Sequence, residues 1–393
     1  MSDDRPIITP ITEDFVHGAV DVDQGAYGLV PHRLTAASRQ QLGGPVEPKV
    51  FQDPSGVRIR LRTESRTLTL RTWPTKISVL DEPPGPSPIY DIWVDGTLHA
   101  QITAEGGTRV TVARAEETRQ DTHPAELELP ELPPGDTLVE IWLPYREHTE
   151  LIDLRSQVPV HPAPAAEDTL RWLHHGSSIS HGSDAWGASH TWPAVAARTA
   201  GVALTNLGFG GNAKLDQFTA RTIREVPADV ISLKLGINVV NGDSHTLRSF
   251  TPAVHGFLDT IREGRHTRTP LLVISPLWCG IHEKTPGPVE CETVDDDAGQ
   301  RRVFRAGGDP ASISQGRMTL EILRAELERI VLLRQEHDEN LHLLSGLQLY
   351  GAGDARTHPL PDDLHPDTSA HGLIGQRFAD KVFTAGVLRP AGS

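Results

Sequence analysis

Near residue 158 the chain changes its hydrophobic rhythm, and that change limits the folds open to it. Before this point apolar residues recur at every second position. After it, short apolar runs alternate with stretches of helical period. Val57-Arg58-Ile59-Arg60-Leu61-Arg62 and Thr67-Leu68-Thr69-Leu70-Arg71 both alternate, as strands with one buried face do. Residues 90–94 lead into Asp95-Gly96, a dipeptide suited to a tight hairpin because glycine accepts positive φ. A further alternating run over 138–143 stops at Pro144. Short strands punctuated by Pro and Gly, with almost no helical period, predict a jelly-roll-like all-β sandwich over residues 1–157. Residues 158–167 are proline-rich, which predicts a stiff, extended connector and a domain boundary there.

Residues 168–393 carry a different architecture. Apolar strands expected at 169–173, 202–207, 230–235, 270–275 and 341–344 alternate with helices expected at 192–200, 214–225, 250–262, 314–335 and 368–387. Strand, helix, strand at this rhythm means an α/β fold with a parallel sheet covered on both faces. Such sheets place their sites in loops at the carboxyl ends of the strands. The acidic run Asp295-Asp296-Asp297 falls in a stretch that reads as an irregular, solvated loop.

Composition narrows the partners. With 37 Lys and Arg against 52 Asp and Glu, the net charge is −15 with His neutral. That balance argues against a general nucleic-acid binder, which needs a basic face, and against docking on anionic lipid. Cys279 and Cys291 are the only cysteines, so a disulfide framework is excluded and a single bridge is not expected. Residues 1–14 show no signal-peptide pattern, and no run of about eighteen apolar residues occurs. The expectation is a soluble cytoplasmic protein without metal or cofactor, its oligomeric state open.

Residues able to do chemistry cluster just after the predicted strands. The first strand runs into His174-His175-Gly176-Ser177-Ser178-Ile179-Ser180. A serine hydroxyl becomes a nucleophile only when a base removes its proton and the backbone holds it exposed, which a Gly-rich turn does. Asn206-Leu207-Gly208-Phe209-Gly210-Gly211-Asn212 closes the second strand, where a glycine N–H can approach a developing oxyanion. Gly236-Ile237-Asn238 closes the third, and a side-chain amide there can donate to the same oxygen. Asp362-Asp363-Leu364-His365-Pro366 supplies a histidine with a carboxylate three residues upstream. That carboxylate can accept from Nδ1–H and leave Nε2 to take the serine proton. Pro366 holds His365 out of the helical region, ahead of a helix capped near Asp367 or Thr368.

Taken together, these four blocks resemble those of the SGNH (GDSL) hydrolase superfamily over roughly residues 170–383. The resemblance implies a flavodoxin-like three-layer α/β/α domain and a triad of Ser178, His365 and Asp362. It also implies an oxyanion hole built from the Ser178 N–H, Gly211 and Asn238. A β-sandwich ahead of such a domain is similar to two-domain carbohydrate esterases and to actinobacterial natural-product acyltransferases. Two departures stand out: Ser177 occupies the place of the family's aspartate, and a literal Gly242-Asp243-Ser244 lies past Asn238 and reads as a decoy. Asp363, one residue closer to His365 than Asp362, is expected to face elsewhere.

His174, His175, Trp186, Trp192 and Trp278 lie near the predicted catalytic loops. Of these His175, Trp186 and Trp278 are candidates to line an acyl pocket. Cys279, His282 and Cys291 do not make a zinc spacing. The implied activity is serine ester hydrolysis of a small or glycosylated ester. Acyl transfer from an activated donor such as acyl-CoA to a hydroxyl is the alternative. A degenerate carbohydrate-binding protein is a third reading.

Overall fold

The computed structural model describes residues 5–44, 46, 49–80, 87–113, 116–296 and 299–385. The chain divides into two compact units. One comprises Met1–Thr35, Leu42–Asp168 and Gly187–Ser189; the other comprises Ala36–Gln41, Thr169–Trp186 and His190–Ser393.

The first unit is a sandwich of an eight-stranded and a six-stranded sheet. Ile59, Leu61, Ile92, Val139 and Ile141 of the smaller sheet, with Leu68, Leu70 and Leu154 of the larger, are buried in one common core. Alternation along each strand therefore turns one face inward. The Asp95-Gly96 turn forms as expected, both residues at positive φ (47° and 79°), joining Tyr90–Val94 to Thr97–Ile102.

The proline-rich connector differs from its reading. Val160–Pro162 pairs antiparallel with Arg58–Thr63 at the edge of the six-stranded sheet. An edge position tolerates Pro162, which has no N–H to offer a further strand. Two short stretches also cross the expected boundary. Ser189 donates from both N–H and Oγ to Asp91 Oδ2, each at 2.7 Å, within the first unit. Ser38 Oγ donates to the Phe218 carbonyl at 2.8 Å within the second. These bonds are polar, so hydrophobic rhythm carries no trace of them.

In the second unit, strands β1 (Arg171–Gly176), β2 (Ala203–Gly208), β3 (Val230–Lys234) and β4 (Leu271–Ile274) are followed by a hairpin, β5 (Val289–Asp296) and β6 (Gly299–Ala306), and by β7 (Leu341–Leu344). The five-stranded sheet runs β2-β1-β3-β4-β7, all parallel. With the hairpin set aside this is the flavodoxin-like order, whose switch point lies between β1 and β3. Helices α1 (Ser178–His181), α2 (Trp192–Ala200), α3 (Gln217–Glu225), α4 (Ile237–Asn241), α5 (Leu247–Arg262), α6 (Leu320–Gln335) and α7 (Thr368–Phe378) complete the layers. Alternation on β1 assigns their sides. Trp172 stacks on Phe378 of α7 (4.9 Å) and His174 meets Trp192 of α2 edge-on (4.6 Å), whereas His175 stacks on Phe257 of α5 (5.8 Å).

Several expected bounds shift for local reasons. Helix α3 starts at Gln217 because Leu215 takes φ 67° and Asp216 is extended. Helix α6 starts after Thr319, whose Oγ1 accepts from Ile322 N–H, while Gly316 ends the preceding 3-10 turn at φ 92°. Helix α7 passes into a π-helix over Ala379–Thr384, and residues 386 and 387 lie outside the described residues. The acidic stretch read as irregular contains the β5–β6 ribbon. Its one buried hydrophobic residue among those described is Val303, which leaves no apolar period to read. Asp297 lies outside the described residues. Cys279 and Cys291 are free thiols, and among the described residues no helix is long and apolar enough to cross a membrane.

Candidate active site

Ser178 opens α1 directly beyond β1. Ser177 is the helix cap: its backbone is extended, and its Oγ accepts from Ile179 N–H at 3.3 Å. The turn is tight. A Cβ on Gly176 would collide with Ser180 Oγ, and one on Gly208 would collide with the backbone at Ser180 and His181. Glycine at both positions lets β1 and β2 end against α1 and leaves Ser178 at the sheet's carboxyl edge.

His365 reaches this serine from 187 residues downstream, its Nε2 lying 2.8 Å from Ser178 Oγ. Its Nδ1 lies 2.6 Å from Asp362 Oδ2. The other carboxylate oxygen, Oδ1, accepts from His365 N–H at 2.6 Å and Leu364 N–H at 2.9 Å. Burial alone would raise the Asp362 pKa. The bonds from the His365 ring and from these backbone groups outweigh it and hold the carboxyl below its ordinary value. Asp363 takes φ 68° and pairs with Arg305, away from the imidazole. Asp367 then caps α7, accepting from Ala370 N–H at 2.8 Å.

The β5–β6 ribbon supports the histidine loop, a contact that the sequence does not reveal. Phe304 N–H donates to the Asp362 carbonyl at 2.9 Å, its ring meets His365 edge-on at 5.4 Å, and Arg301 donates to the Pro361 carbonyl.

The oxyanion candidates lie in the loops of the two strands flanking β1. Asn238 Oδ1 accepts from Ala213 N–H at 3.1 Å, which ties the β3 loop to the β2 loop two residues past Gly211. This leaves Asn238 Nδ2 without a hydrogen bond among the described residues. Gly211 is exposed at φ 70°, and a Cβ there would meet open space. Backbone conformation, rather than lack of room, therefore requires glycine. Ser244 is exposed just past a turn, and its hydroxyl makes no hydrogen bond among the described residues.

His174 and His175 are core residues. His174 bridges Ser232 Oγ (2.7 Å) and Ser180 Oγ (2.8 Å), while His175 Nδ1 donates to the Leu207 carbonyl (2.7 Å). His175 is therefore not a pocket residue; a strand residue facing α5 cannot reach the site. Trp192 is fully buried, and Trp186 is 63 % exposed and outside the cavity beside the nucleophile. Burial lowers the pKa of His175 and of His371 to about 4, so both are neutral in the fold. An unfolded chain protonates them near the ordinary value of about 6.5. Their stabilisation is present above that pH and is lost as pH falls toward 4, on the order of 3 kcal/mol each at most. The buried carboxyls Asp53 and Glu147, raised to about 7, act in the opposite sense, so the histidine contribution is read by difference. His371→Gln should lose less of its thermal midpoint than wild type between about pH 7.5 and pH 5, and an equal loss would contradict this burial.

A cavity opens beside the nucleophile. Ile179, Ile237, Leu364 and Pro366, the chain neighbours of Ser178, Asn238 and His365, form one part of its wall, with Trp278 and Tyr350 among the rest. Lys234 also faces it, a residue that sequence periodicity places only in a strand interior. Asp184 likewise carries no sequence signal. It offers a carboxylate oxygen clustered within 4.8 Å of ligand atoms of Asp362 and His365. Asp362 already bonds the His365 ring, and His365 bonds Ser178, so Asp184 adds a further acidic group around the imidazole. Cys279 Sγ donates to the Asp363 carbonyl, and His282 Nδ1 lies 3.1 Å from the Thr285 carbonyl.

The model of the GDSL-like lipase/acylhydrolase family matches residues 171–277. This span contains Ser178, Gly211 and Asn238 and stops short of Asp362 and His365. The chain is similar to a salicylyl-acyltransferase from a tetracycline biosynthetic pathway, at 26 % identity and TM-score 0.78 over 98 % of this chain and 99 % of that one. It is also similar to a Bacteroides ovatus structure described as a GDSL-like lipase (18 % identity, 97 % and 96 % covered, TM-score 0.64). A family two carbohydrate esterase from Clostridium thermocellum is similar at 11 % identity, 85 % and 93 % covered, TM-score 0.56. At the latter two identities the likeness is one of fold. No curated protein sequence matches the chain.

Proposed function

We propose, from the premise that the parallel-sheet unit is a GDSL-like acylhydrolase domain, that the protein forms an acyl-enzyme on Ser178 and releases the acyl group to water. The observation that carries this reading is the continuous path from Asp362 through His365 to Ser178, at 2.6 and 2.8 Å. Ser178 Oγ attacks the ester carbonyl carbon while His365 Nε2 takes its proton. The carbonyl oxygen becomes an oxyanion, met by the Ser178 and Gly211 N–H groups and Asn238 Nδ2. Collapse breaks the bond to the leaving oxygen, which His365 protonates as it departs. Water, deprotonated by the same imidazole, repeats the sequence and frees the acid. Asp362 fixes the imidazole tautomer and stabilises its charged form in both halves.

Asn238→Ala should lower kcat by about 10²–10³, the usual loss for one oxyanion donor, with KM little changed. Steady-state kinetics on an aryl ester measures it; a change confined to KM would place Asn238 in ground-state binding.

Transfer to a hydroxyl is the second reading, favoured by the likeness to an acyltransferase over 98 % of the chain. The acyl-enzyme is common to both, and only the acceptor differs. Incubation with an acyl thioester and a panel of alcohols separates them. Free acid forming faster than ester supports hydrolysis, ester forming faster supports transfer, and no acyl release from any donor would favour a binding protein.

A further inference from the structure

The cavity beside Ser178 holds a charged side chain to which the reaction above assigns no task. Lys234 ends β3 and is 2 % exposed, and its one hydrogen bond among the described residues is to Ser177 Oγ at 3.4 Å. Two of its three N–H donors therefore have no partner there. His174 and His175 of β1 and His371 of α7 feel its charge and are themselves held neutral, offering it no counter-ion. Burial alone lowers its pKa, to about 7, with no carboxylate raising it. An unpaired buried amine destabilises a fold, and an apolar side chain of the same length would fill this space without that cost. Of the other polar side chains in the wall, Tyr350 donates its hydroxyl to the His358 carbonyl and Cys279 its thiol to Asp363, while the Trp278 indole N–H makes no hydrogen bond among the described residues. What remains is a small cleft of mixed lining in which Lys234 is the one cationic side chain among the described residues.

We propose that Lys234 determines acyl specificity by binding an acidic oxygen carried on the acyl group itself. The preferred substrates are then esters or thioesters of acids bearing a second acidic oxygen, a carboxylate or a phenolic hydroxyl, in place of plain alkanoyl or benzoyl esters. The acyl chain lies along Ile179, Ile237 and Trp278, and its oxygen accepts from Lys234 Nζ. This inference rests on Ser178 carrying the acyl group.

Two matched pairs of 4-nitrophenyl esters test it: hemisuccinate against butyrate, and 2-hydroxybenzoate against benzoate. In Lys234→Met the acidic-to-neutral ratio of kcat/KM should fall about ten- to a hundredfold, chiefly through KM, as loss of a charge-assisted hydrogen bond predicts. The first pair reads carboxylate recognition and the second phenolic recognition. A ratio that stays within about twofold of wild type in both pairs would overturn the proposal. Lys234→Met should also melt at a higher temperature than wild type, and Lys234→Gln serves as a second uncharged variant if it does not fold. Calorimetric binding of succinate and of 2-hydroxybenzoate to Ser178→Ala, with and without Lys234→Met, separates the two layers of the argument. Lys234-dependent binding in a protein that hydrolyses no ester would sink the acyl-enzyme and leave the pocket assignment standing. Binding indifferent to Lys234 would sink the pocket assignment.

Discussion

Ser178→Ala is expected to lower kcat by about 10⁶ on any ester the protein turns over, with the fold intact. The magnitude follows from the loss of the covalent route. Without the hydroxyl, His365 can at best activate water directly, and the oxyanion donors act on a slower attack. The residue lies at a helix start, where alanine is well tolerated, so the thermal midpoint should barely move. Ser244→Ala is the matched control: its exposed hydroxyl makes no hydrogen bond to a base among the described residues, the adjacent His245 ring being turned to Lys214 and Ser249, and its rate should stay within about twofold of wild type. Equal losses at the two serines would indicate a general effect on folding.

Asp362→Asn should lower kcat by about 10³–10⁴ while leaving KM near its original value. An amide in place of the carboxylate no longer accepts from Nδ1–H on demand and offers no charge to the imidazolium. The imidazole is then free to adopt the tautomer whose Nε2 carries hydrogen, which cannot take the serine proton. Asp362 Oδ1 also accepts from two backbone N–H groups, at 2.6 and 2.9 Å, and the amide oxygen can keep those bonds. The loop shape should therefore survive and the defect appear in kcat. Asp363→Asn removes only the pairing with Arg305 on an exposed ribbon, worth at most about 1 kcal/mol, and should change kcat little.

Much of this arrangement is legible in the sequence because the parts that generate it are local. The parallel strands reveal themselves as short apolar runs, and the loop motifs follow them directly. The helix start near Asp367 follows from the break at Pro366, and the spacing of Asp362 from His365 is a three-residue matter. Features made by distant or polar contacts leave no such trace. Lys234 sits in the run Val230-Ile231-Ser232-Leu233-Lys234, where periodicity reads only another sheet residue and says nothing of a cavity at its end. Phe304 supports His365 from an exposed ribbon with no apolar face. The bonds of Ser38 and Ser189 span about 180 and 98 residues and involve neither period nor motif. His175 lies away from the pocket despite its place in the chain, because closeness to Ser178 along a strand says nothing about which face of the sheet the ring occupies.

The most direct measurement is peptide-level mass spectrometry of the full chain after reaction with a fluorophosphonate. A single adduct on Ser178, absent from Ser178→Ala, still formed by Ser244→Ala and slowed in His365→Ala, is the expected outcome. An adduct on any other serine, or none at all on the folded wild-type protein, would contradict the assignment of Ser178 as the nucleophile.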